Sequence, residues 1–219
     1  MLVAFDLDGV LYSTEPFLAD AYRDAIERVN ALRAGSFDRI PSSDEIFQHI
    51  GWPVPTILAR LFPDANPGAV RLIYDVTLNV ICDRVAAREG ALFGGVPETL
   101  KTLRQRGDTL VVASNGRRRY VETVLRTYDL TALFAPVIAV DDAAVPDKRA
   151  LLAAYLVRYQ VSPADAIMVG DRRSDVEAAR AVGCRFIGCD YGHGLRDEIE
   201  GEGPIISTFG ELIDVLFQE

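Results

Sequence analysis

Two carboxylates, Asp6 and Asp8, stand two residues apart at the end of the run Met1-Leu-Val-Ala-Phe-Asp-Leu-Asp-Gly-Val10. Side chains two apart in a strand point to the same side, so both can face one pocket. Gly9 follows at once and permits a sharp turn. Two carboxyls this close do not both ionise freely unless a cation lies between them. Such a pair suits one nucleophile or metal ligand and one proton carrier. It equally suits a strand end whose aspartates only cap the following turn, and the two readings stand level on these ten residues. Further candidates recur along the chain: Ser114-Asn115-Gly116, Asp147-Lys148, and Gly170-Asp171 with Asp175 four residues on.

The elements that must position these groups follow from hydrophobic patterning. Leu2 to Phe5 is a short apolar run of the kind buried on both faces of a sheet. Residues 14–90 contain no convincing strand. Their apolar residues recur at helical spacing in four stretches, 17–32, 42–50, 56–62 and 69–88, with Ser13 or Thr14 as the expected cap of the first. The glycines at 90, 94 and 95 read as a hinge. Beyond them strands and helices alternate. Strands are expected at 109–114, 136–140, 166–170 and 185–188, and helices at 97–106, 120–128, 148–159, 175–182 and 212–217. That alternation predicts a parallel sheet with helices on both faces. The first strand must join it, which makes the helical stretch an insertion. In such sheets ligands bind outside the carboxyl ends of the strands, where Asp6, Asp8, Ser114, Lys148, Asp171 and Asp175 all fall. Taken singly, Ser114 reads as a cap, Lys148 as a solvated lysine, and Asp171 and Asp175 as helix-start residues. Their meeting at one edge favours a shared site.

The order DxDG, Ser, Lys, GDxxxD resembles the haloacid dehalogenase superfamily, chiefly through FDLDGVLY and VGDRRSDVEAARAVG. Within it the chain resembles capped phosphatases of the phosphoglycolate phosphatase and β-phosphoglucomutase-like kind. The resemblance spans the whole length. It implies an α/β fold, a Rossmann-like core (1–13 and 91–219) with a small helical cap (14–90). By the same resemblance Asp6 is the nucleophile that forms an aspartyl-phosphate, and Asp8 the general acid and base. Mg2+ is then held by Asp6, the backbone carbonyl of Asp8 and Asp171, with Asp175 ordering that shell. Ser114 and Asn115 would hold the phosphoryl oxygens, and Lys148 would balance charge.

The reaction expected is hydrolysis of a small phosphomonoester. A phosphomutase shares the core residues but needs cap groups that retain a bisphosphate, and the one cap histidine is His49. A dehalogenase resembles the chain at Ser114-Asn115-Gly116 but would lack Asp8, Asp171 and Asp175. Specificity is expected in the turn His49-Ile50-Gly51-Trp52-Pro53, which reads equally as a buried Trp and a satisfied His of the cap's own core. Tyr12 and Arg117 are added near the mouth. The run Arg117-Arg118-Arg119 otherwise reads as a solvated helix start. His193, between two glycines, reads as a loop residue.

Bulk properties bound the partners. The 219 residues carry a net charge of -9 and are 49% hydrophobic, enough for a packed core. The charge argues against a general nucleic-acid or membrane binder. Three cysteines, Cys82, Cys184 and Cys189, lack metal-binding spacing and suit a reducing compartment as small buried residues. No secretory leader and no apolar span is read, so a cytoplasmic monomer or homodimer acting on a small phosphorylated metabolite is expected.

Overall fold

A computed structural model describes residues 1–143 and 145–217. In chain order the elements are β1 (Leu2–Phe5), β2 (Tyr12–Ser13), α1 (Leu18–Leu32), α2 (Ser43–Phe47), α3 (Val54–Leu61), α4 (Pro67–Ala86), β3 (Ala91–Leu92), α5 (Val96–Gln105), β4 (Thr109–Val112), α6 (Arg118–Thr127), α7 (Lys148–Tyr159), β5 (Ala166–Gly170), α8 (Arg173–Val182), β6 (Arg185–Cys189), β7 (Ile205–Ile206) and α9 (Leu212–Phe217). Five strands form a parallel sheet in the order β4-β1-β5-β6-β7.

β1 lies between β4 and β5, as its apolar run requires. Its alternate residues feed two cores. Val3 and Phe5 pack with α5, α6 and Phe209 on one face. Leu2 and Ala4 pack with Leu151, Leu152 and Tyr155 of α7 and with Val176 and Ala179 of α8 on the other. Neither face is open to water, which is the usual condition of parallel strands.

The helices α1 to α4 lie between β2 and β3. Those two short strands pair antiparallel, Tyr12 with Leu92 and Ser13 with Ala91, and tie the outgoing and returning chain together where the glycines suggested a hinge. Two-residue strands leave no period to read, so this pairing was invisible in the sequence. α2 is capped as its sequence prescribes: the Ser42 hydroxyl accepts from the Glu45 amide, and the Glu45 carboxylate accepts from the Ser42 amide. The cap expected for α1 is absent. No side chain caps that helix, and the Thr14 backbone carbonyl accepts from the Phe17 and Leu18 amides instead.

One expected strand does not form. Residues 136–140 run beside β4 with the Ala135 amide bonded to the Leu110 carbonyl. The next amides are taken by side chains: Ile138 donates to Tyr155 Oη at 2.7 Å and Ala139 to Asp142 Oδ2 at 3.0 Å. Claimed in this way, the segment cannot extend a ladder.

Candidate functional site

Register alone brings the key residues to one rim. Phe5 pairs with Val112 on one side and with Val169 on the other. The next residue, Asp6, bonds its amide to the Val169 carbonyl at 2.9 Å, and the Ala113 amide reaches the Phe5 carbonyl at 2.7 Å. Asp6, Ser114 and Asp171 therefore leave three adjacent strands at one level. α7 and α8 start just beyond that level and supply Lys148 and Asp175.

Asp6 is buried; its Oδ1 accepts from the Leu7 amide at 2.7 Å and its Oδ2 lies 2.9 Å from Lys148 Nζ. Lys148 Nζ also donates to Asp175 Oδ1 at 2.5 Å. Asp175 Oδ2 accepts from the amides of Asp171 and Arg172 at 3.2 and 3.0 Å. Asp171 Oδ2 accepts from the His193 and Gly194 amides at 2.7 and 2.9 Å, while its Oδ1 is buried with no partner. Asp6, Asp171 and Asp175 each present a carboxylate oxygen within 4.8 Å of the others. Gly9, at φ 86°, passes so close that a Cβ there would meet Asp171 Oδ2 at 2.3 Å. A side chain at position 9 would thus be both strained and obstructed.

Three buried carboxylates share one ammonium. Burial raises the pKa of Asp6, and Lys148 only partly opposes this. Burial, with Asp175 and Asp6 as like charges, pushes Asp171 well above the usual carboxylate range. Burial lifts Asp175 to about 6 against the pull of Lys148. For Lys148 burial acts downward, but Asp175 and Asp6 together outweigh it and hold the ammonium above its ordinary value.

The cluster therefore carries excess negative charge, which gives a testable consequence for the metal-free protein. A carboxyl whose folded pKa is raised contributes stability at low pH that is lost as pH rises through the folded value. Asp171→Asn removes one such group and keeps its shape. The variant should melt higher than the parent by about 3 °C in chelator at pH 8. By pH 5 the gap should shrink, because the parent's carboxyls have taken up protons. Calorimetry at both pH values checks this; an Asn variant that melts lower at pH 8 would contradict it.

Asp8 bonds to Tyr120 and not to the lysine. Its Oδ1 accepts from Tyr120 Oη at 2.5 Å. Burial raises its carboxyl to about 6 even though the Tyr120 bond and Lys148 pull down. Burial, then the Asp8 charge, keeps the Tyr120 phenol protonated. Tyr120 escaped the sequence reading, because a tyrosine on the buried side of a helix reads as core. Ser114 Oγ accepts from the Gly116 amide at 3.0 Å, and Asn115 Nδ2 donates to the Gly51 carbonyl at 2.9 Å. Asn115 therefore joins the sheet rim to the helical insertion.

A cavity opens over this rim, with Asp6, Asp8, Ser114, Asn115 and Gly116 in its floor. Its roof comes from α1, α3, α4 and the turn at Ile50-Gly51-Trp52. Gly51, Trp52 and Arg117 line it as expected. His49 does not; its ring sits edge-on to Trp52, 6.3 Å away. Tyr12 is also misplaced by the sequence reading. It is fully buried and packs on Tyr128 at 5.4 Å, because β2 turns it into the core rather than toward the mouth. The arginine run is solvated in part: Arg119 is exposed, and Arg117 and Arg118 are half-buried. Arg117 Nη1 donates to Asp75 Oδ1 at 2.8 Å, Arg119 bonds Asn79, and Arg118 Nη2 donates to Asp142 Oδ2 at 2.5 Å. His193 is a working loop residue: besides its amide bond to Asp171, its Nδ1 lies 3.0 Å from Glu15 Oε1. Arg172 also went unread; it is buried and donates to the His193 carbonyl at 3.2 Å, steadying the loop that holds Asp171.

Comparison with known proteins matches residues 1–183 to the family model described as haloacid dehalogenase-like hydrolase. The chain is 26% identical to a phosphoglycolate phosphatase of Haemophilus influenzae over 98% of its own length and 97% of the relative's. It has the same identity to the corresponding enzyme of Vibrio parahaemolyticus, over 98% and 95%. Among solved structures, a predicted phosphatase from Clostridium acetobutylicum superposes with a TM-score of 0.84 at 20% identity, covering 100% of this chain and 98% of the other. A predicted phosphoglycolate phosphatase from Haemophilus somnus gives 0.81 at 21%, covering 98% and 97%.

Proposed function

The chain belongs to the haloacid dehalogenase-like hydrolase family, and from that premise we propose that it is a magnesium-dependent phosphatase acting on a small phosphomonoester through an aspartyl-phosphate on Asp6. The observation that carries this is the buried meeting of Asp6, Asp171, Asp175 and Lys148 beneath a cavity floored by Asp6, Asp8 and Ser114. Phosphoglycolate phosphatase relatives along the full length support the enzyme class.

The donor set fits a hard divalent cation. All three groups are carboxylates, and Asp171 Oδ1 is buried with nothing to satisfy it. Asp6, Asp171 and the backbone carbonyl of Asp8 would hold magnesium, with Asp175 keeping the Asp171 loop in place. When bound, the ion offsets charge between the carboxylates and the phosphoryl group.

This chain's own residues do the rest. A carboxylate oxygen of Asp6 attacks phosphorus, and the alcohol leaves with a proton from Asp8. Water then attacks the phospho-Asp6, with Asp8 taking its proton, so one difficult displacement becomes two easier ones. Tyr120 holds the Asp8 carboxyl at the cavity floor by the 2.5 Å bond. Lys148 places a fixed positive charge beside Asp6, where charge builds up in the transition state. Ser114 and Asn115 supply donors toward the phosphoryl oxygens. The helices of 14–90 form a cap that shields these steps from bulk water. His49 does not line the cavity, which favours hydrolysis over a mutase that would use it.

The test is hydrolysis of a panel of phosphorylated metabolites with magnesium. Release of phosphate should fall at least a hundredfold in chelator and return when magnesium is restored. Activity indifferent to chelator would end the metal-dependent reading.

A further inference from the structure

The roof of the cavity does not match a small acid as leaving group. Leu18, Ile57, Leu78 and Ile81 form much of it, with the rings of Tyr22 and Trp52. Among the described residues that line the cavity, Arg117 is the sole cation. Its charge is already met. Nη1 is 2.8 Å from Asp75 Oδ1, Nε is 3.6 Å from Asp141 Oδ2, and the guanidinium lies 4.6 Å over the Tyr74 ring. A leaving group with its own carboxylate would be desolvated against leucine and isoleucine, above an acidic floor, with no free cation to receive it. Burial of that charge without a partner is strongly unfavourable. An apolar alcohol instead gains from every methylene it buries there.

Resting on the phosphatase reading, we infer that the substrate is the phosphate monoester of an uncharged, largely apolar alcohol, branched or aromatic, seated against α1, α3 and α4. One buried polar atom on this wall, Thr77 Oγ1, makes no hydrogen bond. It marks where a neutral oxygen of the alcohol is received. The pairing of Arg117 with Asp75 thus acts as a selectivity device: it withdraws from the cavity the one cation that would reward a carboxylate.

The experiment uses the full chain with magnesium. Ethyl, butyl and hexyl phosphate and 2-phenylethyl phosphate have similar leaving-group basicity, so differences among them report burial. kcat/KM should rise roughly threefold per methylene until the cavity is filled, and 2-phosphoglycolate should fall below butyl phosphate. Binding is read separately in Asp6→Asn protein through the fluorescence of Trp52, the single tryptophan of the chain. Hexyl and 2-phenylethyl phosphate should shift it at lower concentration than 2-phosphoglycolate. Asp75→Asn removes the nearer of the two carboxylates paired with Arg117, at an exposed position, and should improve 2-phosphoglycolate about two- to fivefold while leaving hexyl phosphate unchanged. A flat series, or 2-phosphoglycolate as the preferred ester, would overturn this inference and leave the phosphatase reading standing. No hydrolysis of any ester would overturn both.

Discussion

Asp6→Asn protein should fold and bind but not turn over. The substitution keeps the side chain's shape and an oxygen for the Leu7 amide, whose bond to Asp6 is 2.7 Å. It removes the carboxylate that we propose as the nucleophile and that Lys148 faces at 2.9 Å. An amide cannot form the aspartyl-phosphate, so the two-step route closes. A loss of at least 10⁴-fold in kcat is expected, equivalent to about 5.5 kcal/mol of barrier. The melting temperature should stay within about 3 °C of the parent, since a buried charge and its attraction to Lys148 vanish together. Stopped assays on protein of verified fold measure both quantities. Residual activity within tenfold of the parent would remove Asp6 from the chemistry. Mass spectrometry after acid quench gives an independent check, because the parent should carry a labile phosphate on Asp6 and the variant none.

Lys148→Met should harm stability as well as rate. Lys148 is buried between Asp6 and Asp175, 2.9 and 2.5 Å from their oxygens. Methionine fills a similar volume and leaves Asp6, Asp171 and Asp175 with no fixed positive charge. Breaking a buried ion pair by removing one partner costs about 3–5 kcal/mol. Unfolding in denaturant and chelator should show that deficit. Magnesium should restore more stability to the variant than to the parent, because the ion then supplies the only compensating charge. At a hundredfold excess over its dissociation constant, a ligand of the folded state contributes about 2.7 kcal/mol. Activity should remain at least a hundredfold down even in magnesium, since the transition-state charge beside Asp6 is unsupported. A variant as stable as the parent in chelator would show that the lysine is not the counter-charge of the cluster.

Both results depend on residues far apart in the chain, and it is instructive which of them were visible beforehand. Asp6, Asp8, Ser114, Lys148, Asp171 and Asp175 could be found because each closes an apolar run or opens a helix, and such positions share one edge in a parallel sheet. Their level at that edge could not be read. It comes from the pairing of Phe5 with Val112 and Val169, and a strand's register is decided by neighbours more than a hundred residues away. Tyr120 was hidden for a related reason: its partner Asp8 is 112 positions distant. The arginine run was legible in part. Arg119 is exposed, as three consecutive cations suggest, but α4 and the loop after residue 140 bring carboxylates to Arg117 and Arg118 and an amide to Arg119.

The amino-acid sequence alone determined the class of fold, the order of its helices and of four strands of the sheet, and the acidic, hydroxyl and cationic residues of the rim, since all of these follow from local periodicity and from what strand ends expose. The tertiary structure alone decided the character of the cavity: which faces of α1, α3 and α4 look down on Asp6, that Tyr12 is sealed in the core, that 136–140 is no strand, and that Arg117 is already paired. Such outcomes belong to the packing of one element on another, where a side chain's partner is selected by space and charge rather than by its neighbours in the chain.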